Sequence, residues 1–192
     1  MIKNYILKPF ETLQERTLLW IGVFTGLVTC IVQTFTHSRS IALLKQVSIY
    51  KSPTAIETIS DYVITTFLMT IAVFILGKTI NKKTRFIDIL NTVLIARIAM
   101  NITVLFDING FLTDIADTLM KNINNPNALN MDSVFNLTIF SILTLCLLIV
   151  FGYYMYQGFK TATHLKTKPP IIALVVIILF VDILTRPITS LY

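Results

Sequence analysis

Charge is scarce in this chain. Only 14% of its 192 residues are Asp, Glu, Lys or Arg, against about 25% in an average soluble domain, which excludes an ordinary water-soluble globule. Histidine is scarcer still: His37 and His164 are the only two. They fall in loops on opposite sides of the expected fold, so a His-based catalytic or metal site has little to build on. Cys30 and Cys146 are the only cysteines. Both fall within apolar runs, where a small, weakly polar side chain packs as an apolar group, and neither a functional thiol nor a disulfide is expected. A Gly-rich phosphate loop, H-E-x-x-H, G-x-S-x-G and paired carboxylates at one depth are all missing. These absences argue against an enzyme, and they suggest neither a metal nor a cofactor.

What the chain has instead is apolar length. Hydrophobic residues make up 55% of it, and runs near the bilayer-spanning length of about 20 residues recur. The best segments are 17–35, 59–77, 86–106, 135–156 and 170–189. The expected fold is all-α: an integral membrane bundle of five transmembrane helices with short interfacial helices, a single transmembrane domain over residues 1–192. Lys3, Lys8 and Arg16 before the first run imitate a secretory signal. The run is too long, however, and "THSRSIA" offers no convincing A-x-A site, so an uncleaved first helix is expected.

The net charge of +6 reports orientation rather than a nucleic-acid partner. With the N-terminus cytoplasmic, the inner segments hold Lys3, Lys8 and Arg16, then Lys78, Lys82, Lys83 and Arg85, then Lys160, Lys166 and Lys168. The outer ones hold Arg39, Lys45, Lys51, Lys121 and Arg186, with the acids Asp107, Asp114, Asp117 and Asp132. The bias predicts a cell-membrane protein with its N-terminus cytoplasmic and its C-terminus outside.

Local patterns refine this. Pro9 suits the first turn of a helix, so "PFETLQER" is expected to start a short interfacial helix. Gly22, Gly26 and Cys30 are spaced four apart and line one side of the first span, a face that lets a neighbouring helix approach closely, one of the same chain in preference to one of a second copy. "IALLKQVSIY" has a spacing ambiguous between helix and strand. Ile108, Phe111, Leu112, Ile115, Leu119 and Ile123 follow the i, i+3, i+4, i+7 rule of an interfacial helix, which "NNPN" ends. Phe151, Tyr153, Tyr154 and Tyr156 cluster beside the basic "KTATHLKTK" loop as an aromatic belt would.

Arg97 stands in the middle of "NTVLIARIAMNI". At 1.5 Å per residue it lies about 15 Å deep, the centre of a hydrocarbon layer about 30 Å thick. Facing lipid would cost about 2.5–3.5 kcal/mol or more, so the side chain should turn inward to a partner. Asp182, in "ILFVDILTRPI", sits about 18 Å deep and can reach Arg97 if the third and fifth helices touch. An Arg97–Asp182 pair is expected, with Asn101 one turn along completing the hydrogen bonds. Arg186 competes for Asp182 from four residues away. Such a cluster either specifies which helices meet or forms a substrate or proton site, and Arg97→Leu is expected to damage folding or activity.

The layout as a whole resembles the Yip (Ypt-interacting-protein) domain family in its bacterial form. A short amphipathic "KPFETLQERTLLW" precedes the first span, and a long outer loop follows it. A basic turn leads into "TRFIDILNTVLIARI", and "YYMYQGFKTATHLKTKPP" joins the final pair of spans. The resemblance implies a five-helix integral membrane protein without an assigned reaction, and it transfers no residue role. The expected function is therefore a non-enzymatic membrane component acting through protein or lipid contacts. Its partners would be the bilayer and a membrane protein or a second copy. The alternative is a small-solute or ion transporter or channel using the Arg97–Asp182 pair.

Overall fold

In a computed structural model, the structure describes residues 7–36, 38–48, 53–110, 117, 131–165 and 170–189. The fold is all-α, and among the described residues five helices are long and apolar enough to cross a membrane. A one-turn helix α1 (Pro9–Thr12) comes first, with Pro9 at its start as the missing N–H of proline allows. Leu13 is extended, and the chain turns there into α2 (Glu15–Phe35). A small antiparallel hairpin follows, β1 (Ser38–Ser40) paired with β2 (Gln46–Ser48) in the register Arg39 opposite Val47. The described part of the ambiguous "IALLKQVSIY", residues 41–48, thus resolves into a turn and a strand, with Ala42 and Leu43 buried.

Helix α3 (Ala55–Ile80) starts earlier than its apolar run because Thr54 and Glu57 form a capping box. Thr54 N donates to Glu57 Oε2 at 2.8 Å and Glu57 N donates to Thr54 Oγ1 at 3.3 Å, satisfying two helix-start donors. A tight turn leads to α4 (Phe86–Asn101), which runs on as a 3-10 stretch to Gly110. In that turn Thr84 Oγ1 donates to the Gly77 carbonyl at 3.1 Å, and Asn81 Nδ2 ties it to the Thr163 carbonyl at 2.8 Å. Helices α5 (Met131–Ala162) and α6 (Ile171–Thr189) complete the set. Most of the interfacial pattern expected over 108–123 lies outside the described residues.

α4 is the central helix, buried over most of its length, whereas α5 is mostly exposed beyond its final turns. The core joins Ile89, Val93 and Ala96 of α4 to Phe151, Met155 and Phe159 of α5, with Met69 and Val73 of α3 closing it. Phe151 is therefore a core residue rather than part of an aromatic belt; Tyr153 remains exposed, its hydroxyl donating to the Leu7 carbonyl at 2.9 Å. The small residues of α2 face inward to the same chain. A Cβ on Gly22 would stand 2.5 Å from Leu94 Cβ, and one on Gly26 would stand 2.5 Å from the Tyr62 ring. Cys30 Sγ lies 3.6 Å from the Thr58 carbonyl oxygen.

Candidate functional site: buried charges between the helices

Arg97 is 2% exposed and does turn inward. Eleven residues into α4 it lies about 16 Å from the helix start. Its partner, however, is α3. Nη1 donates to the Tyr62 carbonyl oxygen at 3.0 Å and to Thr65 Oγ1 at 2.9 Å, and also to Thr66 Oγ1. The guanidinium lies over the Tyr62 ring, 4.0 Å from its centroid, a cation–π contact that a low-dielectric site strengthens. Each threonine hydroxyl is free to accept because its own proton is already placed. Thr65 donates to the Asp61 carbonyl at 2.6 Å and Thr66 to the Tyr62 carbonyl at 2.6 Å.

The expected Arg97–Asp182 pair does not form. α6 packs along α3 rather than α4, so equal depth does not bring the two side chains together. Asp182 instead accepts from Leu44 N at 2.7 Å through Oδ1 and from Arg186 Nη2 at 2.8 Å through Oδ2. The competing i, i+4 pair is the one realised. Asn101 does not complete the Arg97 network either; its Nδ2 is buried without a hydrogen-bond partner.

No family model matches the chain, and neither does any curated protein or solved structure. The site is therefore read from its own geometry. A further acid joins it: Asp61 on α3, whose side chain is fully buried. Arg39 Nη2 on β1 donates to Asp61 Oδ1 and to the Thr189 carbonyl oxygen, each at 3.1 Å, so one guanidinium clasps the hairpin to both α3 and α6. Thr189 Oγ1 returns a bond to the Ile41 carbonyl at 2.6 Å. Sequence reasoning missed Asp61 because the apolar run it used begins at residue 59, leaving the acid at the run's edge. The threonines were an available signal, since Thr58, Thr65 and Thr66 share one side of α3 with Tyr62.

The buried charges thus form two separate arrangements. One, at the hairpin end, holds two pairs that each reach the hairpin, Arg39–Asp61 and Asp182 with the exposed Arg186. The other is a single cation, Arg97, held by neutral oxygens. The damage to folding expected of an apolar substitution from the sequence is revised accordingly: Arg97→Met is expected to change stability by less than about 1 kcal/mol, because the two hydroxyls keep their own acceptors and no buried donor is orphaned. Thermal unfolding in detergent checks this; a loss of several kcal/mol would mean that the cation itself holds α3 to α4. At the opposite end, Arg85 donates to Asp88 Oδ1 at 2.7 Å and to Glu15 Oε2. These bonds raise its already high pKa, Asp88 first, so it stays cationic.

Proposed function

We propose that this chain is a non-enzymatic, multi-pass protein of the bacterial cell membrane that acts through contacts with lipid or a membrane-protein partner. The observation that carries the reading is the use of its buried charges. Arg97 bonds to α3 through Nη1, Asp61 is clasped by Arg39, and Asp182 is shared between Arg186 and a backbone N–H. Charges on a transport path would face one shared cavity and remain open to exchange. The excess of Lys and Arg at the Arg85 end supports a cytoplasmic N-terminus and an external C-terminus. The layout shared with Yip domain proteins is in keeping with such a role.

Reconstitution tests this. Vesicles containing the wild-type chain are expected to pass chloride, sodium and protons no faster than protein-free vesicles. A flux that disappears in Arg97→Met overturns the reading in favour of a transporter.

A further inference from the structure

Two pockets lie next to one another along α4. The first, about 210 Å³, lies at the Arg85 end and is lined by Glu15, Arg85, Asp88, Asn91, Thr161 and His164 among others. The second, about 310 Å³, is lined by apolar residues including Ile21, Ile102, Leu147 and Val150. Leu13 and Leu18 belong to the walls of both. A single stripe of α4 builds the two. Asp88, Asn91 and Thr92 face the first; Ile95, Ile98 and Ala99 continue the same i, i+3, i+4 face into the second. On α5 the stripe runs in the opposite chain direction, from Leu147 and Val150 through Tyr154 to Gly158 and Thr161. The groove is therefore polar at the helix end and apolar for about 16 Å below it. That is the profile of a membrane amphiphile, with a head at the interface and a chain beside the core.

We propose that this composite groove binds a phospholipid whose head carries a primary ammonium, the head in the first pocket and an acyl chain in the second. The charges select the head. Two carboxylates, Glu15 and Asp88, stand against one guanidinium, Arg85. A zwitterionic head answers both signs, its phosphate complementing Arg85 and its ammonium the acids. Asn91 adds a demand for a donor. It is 2% exposed, donates from Nδ2 to the Glu15 carbonyl at 3.1 Å, and leaves Oδ1 without a hydrogen-bond partner among the described residues. A primary ammonium supplies N–H groups to acceptors; a choline head has none, and a glycerol head carries the same phosphate but no cation to answer the second carboxylate.

The proposal rests on the lipid-contact reading above and deepens it. Native mass spectrometry of the full chain, stripped of lipid by detergent exchange and titrated with dioleoyl phosphatidylethanolamine, phosphatidylcholine or phosphatidylglycerol, tests it. The ethanolamine lipid is expected to bind about tenfold more tightly than the choline lipid, the worth of one charge-assisted hydrogen bond. Glu15→Gln is expected to narrow that gap to about threefold. Val150→Trp, which fills the apolar half, is expected to weaken all three lipids. Glycerophosphoethanolamine, a head without chains, is expected not to compete. Equal binding of ethanolamine and choline lipids, a preference for phosphatidylglycerol, or competition by the chainless head would overturn the proposal. The wild-type comparison stands alone if either variant misfolds. Ion flux in the vesicle experiment would overturn the contact-acting reading without touching this comparison, so the two fail separately.

Discussion

Asp61→Ala is expected to cost about 3–5 kcal/mol, the penalty for removing one partner of a buried ion pair and leaving the other charge uncompensated. Its carboxylate is fully buried, and the Arg39 side chain it meets is only 14% exposed. Without the acid, Arg39 keeps the Thr189 carbonyl but loses the carboxylate to which it donates. The hairpin that buries Ala42 and Leu43 then loses its strongest tie to α3. Thermal unfolding in detergent micelles measures the loss. The double variant Arg39→Met with Asp61→Leu is expected to recover most of it, because replacing both members of a buried pair by apolar groups is often neutral. An Asp61→Ala protein as stable as the wild type would mean that the clasp does not hold the hairpin. The expected contrast with Arg97→Met, a near-neutral change of an equally buried charge, follows from what each charge leaves behind. Asp61 leaves a part-buried cation; Arg97 leaves only hydroxyls that already donate elsewhere.

The number and placement of the long helices were legible because hydropathy acts along the chain, and a run of apolar residues declares its own length. Which helix touches which was not legible, because contact depends on rotation about each axis, which hydropathy leaves open. Arg97 shows the difference. Its depth and inward orientation followed from the sequence, and its partner did not. The expectation sought a carboxylate at equal depth and found Asp182, yet α6 lies along α3, and the α3 hydroxyls next to Arg97 satisfy it first. The local pair Arg186–Asp182 was legible for the opposite reason: i, i+4 neighbours meet whatever the helix packs against. The amphiphilic groove is intermediate. The step from Asp88, Asn91 and Thr92 to Ile95, Ile98 and Ala99 is written on one helix face, but the matching stripe of α5 needs the fold to bring it opposite.

Gly26→Ala is expected to be costly for a substitution that adds a single methyl, and it also separates two uses of the Gly22, Gly26, Cys30 face. The added Cβ would sit 2.5 Å from two Tyr62 ring atoms and 2.7 Å from its hydroxyl. The ring has little room to yield, because one of its faces carries the Arg97 guanidinium at 4.0 Å. Relief requires α2 to move off α3, and overpacking of that kind costs about 1–3 kcal/mol. Gly22→Ala meets Leu94 Cβ at 2.5 Å, an atom fixed to the α4 backbone, so there too the helices must part. Gly152→Ala on α5 is the control: nothing lies within 4 Å of its added Cβ, and alanine favours a helix over glycine, so no loss is expected. Were the small-residue face a docking surface for a second copy, the first two variants would change the oligomeric state while leaving the monomer's unfolding midpoint in place. Packing within one chain predicts the reverse, a lowered midpoint at unchanged oligomeric state, and light scattering alongside thermal unfolding distinguishes the two.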